Sequence, residues 1–377
     1  MFIWPILLVV ALICNISHGQ KPQNDNTDPT SKQRTINLSE AVVCDCGFED
    51  ENHNIWTDVW YADYGLYKSS LQYDPHYLVM DYTVGAKHKD TLARVFSPSN
   101  VKLTQEGGIT LSVKQNSDGK YTSAAIGTKR YHLVNLHHIR KANPNASLRN
   151  DFLYGTYRAR MKTSNVSGTV AAFFFYRNDT SEIDMESLSR FHDPYKTYFA
   201  IQPQIYDHGA ASPLTNEKHD LPFNPTEDYH EYRFDWLPNS VKFYIDGTFV
   251  REMTTNVPDS PGRILLNHWT DGNPYFSGGP PSENADLKVS HLNLFFNSSE
   301  SKSAPSCSKS KTPCQISDIM NRHLLPGTEP WPKTGSSPPG NFYIMFVHKC
   351  NPCILQESKY ADLETVPLDL TQSRLLL

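Results

Sequence analysis

The sequence predicts an all-β protein, a sandwich of antiparallel strands. Three observations predict it: short segments alternate apolar and polar residues, turn residues separate them at close intervals, and long helical periodicity is nearly absent. Aromatic side chains, which favour strands, make up 12% of the 377 residues. Gly108–Lys114 (GITLSVK) alternates cleanly, as does Tyr154–Met161 (YGTYRARM). His230–Trp236 (HEYRFDW) puts Tyr232, Phe234 and Trp236 on one face. Leu237-Pro238-Asn239-Ser240 then turns the chain into Val241–Ile245 (VKFYI), and Asp246-Gly247 makes a tight hairpin turn into Thr248–Val250. Ala285–Phe296 (ADLKVSHLNLFF) is the last strong strand. Trp236 and Trp56 are assigned to the core.

The flanks read differently. Residues 2–14 are mostly apolar and are followed by small or polar residues, so 1–19 reads as a secretory signal peptide, although no Lys or Arg precedes the apolar run. That run is short for a membrane span, and no other segment is apolar for long enough. Residues 20–40 are polar and aperiodic, a flexible leader. The main domain is expected over 41–300. Beyond it the composition turns Ser-, Lys-, Pro- and Gly-rich, so 301–377 is expected to be an irregular, disulfide-rich extension, with one short helix over Ile316–Leu325.

Once Cys14 leaves with the signal, six cysteines remain: Cys44, Cys46, Cys307, Cys314, Cys350 and Cys353. An even number suits three disulfides in an oxidising compartment. Cys350-X-X-Cys353 with His348 also permits a zinc reading, but no second well-spaced pair completes a site. Cys44 and Cys46 share a face of a regular strand, where a bridge between them is strained, so partners in the tail are expected. Sequons stand at Asn37, Asn145, Asn165, Asn178 and Asn297. The net charge of −5, without a basic tract, gives no sign of a nucleic-acid partner, and none is expected.

Ser181–Glu186 (SEIDME) sets three carboxylates on one strand face, with Ile183 and Met185 on the other. A half-exposed strand, acids to water, would explain it blandly. The preceding Thr169–Tyr176 (TVAAFFFY) argues otherwise, because it is apolar on both faces and so central in a sheet. A hairpin at Arg177-Asn178-Asp179-Thr180 would set the acids beside it, where carboxylates need a reason to be. Cleavage of a bond between two sugars supplies one, since it needs a carboxylate and a carboxylic acid flanking that bond. Cα atoms of residues i and i+4 on a flat strand lie roughly 13 Å apart. Side chains leaning together on a concave face can close that to the roughly 5–5.5 Å of a retaining pair. Repulsion within such a cluster raises the pKa of at least one member.

The stretch EIDME resembles the E-[I/L]-D-X-E signature of glycoside hydrolase family 16. Further pieces are similar in order. They are Tyr154–Tyr157 with Lys162, Gly168–Phe174, His230–Trp236 followed by Phe243–Gly247, and Asn267-His268-Trp269 with Asp271-Gly272 and Gly278-Gly279-Pro280-Pro281. The last stretch resembles fungal members, and the similarity covers about residues 45–297. It implies a concanavalin A-like β-jelly-roll of two curved antiparallel sheets with a cleft on the concave face. It also implies a retaining mechanism with Glu182 as nucleophile, Asp184 as the assisting acid and Glu186 as general acid/base. One residue between Asp184 and Glu186 is the spacing of the lichenase and transglycosylase branch. Where many members carry His/Gln-Thr-Asn, this chain has Gln202-Pro203-Gln204, so only Gln202 matches.

The expected function is therefore a secreted endo-glycosidase acting on a β-glucan, extracellular or at a cell wall, as a monomer. The alternatives are a cell-wall transglycosylase using the same site and a non-catalytic, lectin-like binder. Trp269 is the candidate sugar platform, with Tyr275 or Phe276 beside it and Gln202 as a further contact, although a core role for Trp269 is equally compatible with its residue type. No cofactor or metal is expected. Some family members hold a structural calcium ion on the convex face, and no motif here supports or excludes one.

Overall fold

A computed structural model describes residues 43–44, 46–64, 77–104, 108–129, 148–300, 312–323 and 353–354. The expected signal peptide and leader, with Asn37, Asn145, Cys307 and Cys350, lie outside the described residues.

Two large sheets organise the chain. One has nine strands and is built around Phe152–Lys162, which lies between His230–Leu237 and Ala285–Ser298. The other has seven strands in the spatial order Asn216–Asp220, Lys196–Gln202, Ser181–Leu188, Val170–Asn178, Arg263–Trp269, Ala124–Thr128, Tyr77–Val79. Neighbours within this sheet run antiparallel. The fold is the jelly-roll sandwich of curved antiparallel sheets that the strand pattern and the family resemblance predict. The expected strands are present, and their turns have the expected backbone. Asp246 and Gly247 take φ of 47° and 74°, the left-handed pair that a two-residue hairpin turn requires.

The core lies between the sheets. Tyr232, Phe234 and Trp236 point inward from one sheet, and Phe173, Phe175, Ile183, Met185 and Phe199 from the other. Rings meet across the gap, with centroids 4.2 Å apart for Phe175–Trp236, 4.6 Å for Phe199–Phe243 and 5.3 Å for Phe173–Phe234. Val170–Asn178 is central, the fourth strand of seven, because both of its faces are apolar and both of its edges are paired.

The tail returns to the body. Cys314-Gln315 pairs in parallel with Phe48-Glu49, and Val43-Cys44 pairs with Cys353-Ile354. Helix Ile316–His323 follows, and Ile316 and Ile319 join Phe48, Trp56, Val59 and Phe295 in a second cluster of buried residues. A Ser/Lys/Pro-rich composition hides this packing, because only a few apolar side chains make it. Cys46 and Cys314 are each disulfide-bonded. The strand pairings support the prediction that at least one disulfide joins the Cys44–Cys46 stretch to the tail. Non-reducing peptide mapping is expected to recover such a peptide pair. Recovery of only Cys44–Cys46 and bridges within the tail would contradict it. In the chain-entropy model a bridge closing more than about 200 residues stabilises a fold by roughly 4–5 kcal/mol.

Candidate active site

Ser181–Leu188 is the third strand of the seven-stranded sheet. Alternation sends Ile183 and Met185 into the core and Glu182, Asp184 and Glu186 to the outer face. Register then names the neighbours on that face. Glu182 lies between Tyr176 and Gln202, Asp184 between Phe174 and Ala200, and Glu186 between Ala172 and Tyr198. One strand further out, Arg263, Leu265, Asn267 and Trp269 continue the rows.

The carboxyls are largely withdrawn from water: Asp184 is 7% exposed, and Glu182 and Glu186 are half-buried. Desolvation raises all three above the ordinary carboxylate range, with Glu182 and Glu186 pushed up to about 7. Asp184 is raised well above its ordinary value, by burial first and then by the charges of Glu182 and Glu186. A hydrogen bond between Asp184 and Glu182 raises Asp184 further and lowers Glu182. The side chain of Gln202 also hydrogen-bonds Asp184 and works against that rise. Glu182 thus has a bond that favours its ionised form. Glu186, by contrast, feels repulsion from Glu182 as its largest influence after burial. The two glutamates differ in these partners, and both end at about 7.

The cations of the site come from elsewhere in the chain. Lys87 and Arg94 lower both glutamates electrostatically, while Asp271 raises Glu186. The Arg94 guanidinium sits 4.7 Å from the centre of the Trp269 ring. Strand pattern and carboxylate spacing do not point to these residues, because loops carry Lys87 and Asp271 to the site from far along the chain.

Trp269 is on the carboxylate side of the sheet but only 6% exposed, with Phe276 stacked 6.0 Å away and Arg94 over its ring. Tyr275 is 85% exposed. The Asn267 amide oxygen, in the row of Glu186, is buried without a hydrogen-bond partner. Asn178 is exposed at the hairpin tip that leads into the carboxylate strand, where its Oδ1 accepts from the Thr180 backbone N–H and hydroxyl, each at 3.0 Å. Asn165 is also exposed, whereas the Asn297 Oδ1 accepts from the Thr57 N–H at 3.1 Å. Among the described residues, no group of three or more His, Cys, Asp or Glu side chains is arranged to hold a metal ion.

Residues 88–289, more than half of the chain, match the model of the family described as Glycosyl hydrolases family 16. The chain belongs to this family. Among family 16 relatives, a β-glucanase of Bacillus amyloliquefaciens is 40% identical over 122 residues, which are 31% of this chain and 47% of that protein. A β-glucanase of Paenibacillus polymyxa is 29% identical over 177 residues, 45% of this chain and 62% of that protein. The chain thus spans about half the length of the first of these relatives. Among solved structures, the Bacillus licheniformis β-glucanase aligns with a TM-score of 0.48 at 23% identity, over 63% of this chain and 98% of that one. A Crh5 transglycosylase aligns with a TM-score of 0.44 at 18% identity, over 71% of this chain and 90% of that one.

Proposed function

We propose that this family 16 protein is a secreted, retaining endo-glycosidase that cleaves O-glycosidic bonds in a β-glucan. One observation carries the reading: three carboxyls share one face of a strand paired on both edges, and the middle one hydrogen-bonds Glu182. The β-glucanase names of its relatives support the substrate class. A lectin-like binder has no use for two desolvated glutamates whose environments differ in this way. Glu182 attacks the anomeric carbon, and Glu186 gives its proton to the departing glycosidic oxygen. A glycosyl ester on Glu182 results. Glu186, now a carboxylate, takes a proton from the incoming acceptor, whose oxygen displaces Glu182 from the sugar. Asp184 donates a hydrogen bond to Glu182 and so favours its carboxylate form, both before attack and as leaving group. Water as acceptor gives hydrolysis, and a sugar hydroxyl gives transfer.

Purified protein is to be incubated with barley mixed-linkage glucan, laminarin, xyloglucan and chitin, and the products weighed by mass spectrometry. Shortened oligosaccharides from a β-glucan are expected. Recombined products longer than the donor would instead mark the transglycosylase. Binding without any new product would favour the lectin-like alternative.

Arg94 tunes the pair without contacting the reacting bond. Replacing it removes a positive charge that favours both carboxylates. In Arg94→Met, the acidic and basic limbs of the kcat/KM profile are expected to move to higher pH, by roughly half a unit to one unit. Arg94→Lys should restore much of the original profile. A lower rate with both limbs unmoved would contradict this role.

A further inference from the structure

We propose a second saccharide-binding site on the outer face of the nine-stranded sheet, across the sandwich from the carboxylates. A cavity of about 370 Å³ opens there, within the size range of small-ligand pockets. Strand register builds its floor. Glu231, Arg160 and His291 lie side by side in one row, and Arg158 and Asn293 are paired in the next. Met320 of the tail helix closes one side, its sulfur 3.2 Å from Arg158 Nη1.

Two of these residues point to a ligand. Asn293 is 5% exposed, and its amide oxygen is buried without a hydrogen-bond partner. An unsatisfied buried acceptor costs about 1–3 kcal/mol, a cost that a ligand hydroxyl would offset. Arg160 is exposed and makes no ion pair among the described residues. Arg158, by contrast, is already engaged by Glu51 and Thr156.

The charge pattern selects the ligand. An anion would meet Glu231, Asp246 and the orphaned Asn293 oxygen, and a cation would meet Arg158 and Arg160. A neutral polyol suits both sets, because each hydroxyl donates to a carboxylate or amide oxygen and accepts from a guanidinium. Tyr229 adds an aromatic side chain to the lining. The site therefore takes a neutral sugar residue, and in a polysaccharide-cleaving protein it would hold the polymer away from the cleft. The binding claim does not depend on catalysis.

Affinity electrophoresis tests it. A Glu182→Gln/Glu186→Gln double variant is run through gels containing mixed-linkage glucan, laminarin or dextran sulfate. Retardation is expected in at least one neutral gel. Arg160→Ala in that background should weaken it roughly three- to tenfold, the loss of about one hydrogen-bonded side chain. Asn293→Leu, checked for an unchanged melting curve, should do the same. Hydrolysis of a short chromogenic oligosaccharide by Arg160→Ala with both glutamates intact should stay within about twofold of the parent, since the change lies across the sandwich. Unchanged retardation in both variants, no retardation in any neutral gel, or retardation by dextran sulfate alone would overturn the proposal. If the parent cleaves nothing while Arg160-dependent retardation remains, the catalytic reading falls and this one stands.

Discussion

Glu182→Gln and Glu186→Gln are each expected to lower turnover of a β-glucan by several orders of magnitude while leaving the fold intact. The amide is nearly isosteric with the carboxyl, so packing on the strand survives. The chemistry does not. In Glu182→Gln the amide cannot form the glycosyl ester, and in Glu186→Gln it cannot give up a proton to the leaving oxygen. Asp184→Asn should cost less, on the order of tenfold to a hundredfold. Its amide can still donate to Glu182, although it no longer carries the proton that the pair shares. Steady-state kinetics on one polymer, with circular dichroism as the control for folding, decide the order. A substrate with an activated leaving group separates the glutamates further. It needs little help from an acid, so Glu186→Gln should release one leaving group per site in a burst and then stall for want of the base, whereas Glu182→Gln should release none.

The same glutamates are expected to cost stability, and the cost should depend on pH. Burial raises Glu182 and Glu186 from the ordinary 4.5 to about 7. The folded protein therefore holds these protons more tightly than the unfolded chain does. Their contribution to stability is fully present below about pH 4.5 and is lost as pH rises through about 7. For one such group the difference is on the order of 3 kcal/mol, shared in this cluster among coupled carboxyls. Glu186→Gln should accordingly melt several degrees higher than the parent at pH 8, and close to it at pH 4. Thermal melts across that range test this. A variant that melts lower at pH 8, or an offset independent of pH, would show that the carboxyls are better solvated than their burial implies.

The sandwich and the central place of the carboxylate strand were legible in the sequence because both follow from local periodicity. Alternation in HEYRFDW and SEIDME assigns inward and outward side chains, and the two-sided apolar run Thr169–Tyr176 marks the middle of a sheet. Asp246-Gly247 has one natural reading as a turn. The rest depends on contacts between distant segments. Arg94 reaches Trp269, and Lys87 reaches the glutamates, only through folding. Trp269 lies on the carboxylate side but stays mostly covered, a distinction its residue type does not make. Gln202, read as a substrate contact, also hydrogen-bonds Asp184. The tail's Ser-, Lys-, Pro- and Gly-rich composition predicts irregular structure, yet Ile316 and Ile319 are enough to dock it beside Trp56. The cavity on the outer face of the nine-stranded sheet arises from register between strands more than 60 residues apart, which periodicity within one strand does not reveal.

The assignment of Glu182 as nucleophile and Glu186 as acid/base is tested most directly by azide rescue. Glu186→Ala still forms the glycosyl ester from a β-glycoside with a good leaving group. Azide then enters the space of the missing carboxylate and displaces Glu182, so the product should be a glycosyl azide of retained β configuration. In Glu182→Ala, azide takes the nucleophile's own place and should give the inverted α-azide in a single displacement. Nuclear magnetic resonance of the two products reads the anomeric configuration. The account predicts β from Glu186→Ala and α from Glu182→Ala. The opposite pattern would exchange the two roles, and no adduct from either variant would contradict a double displacement at this strand.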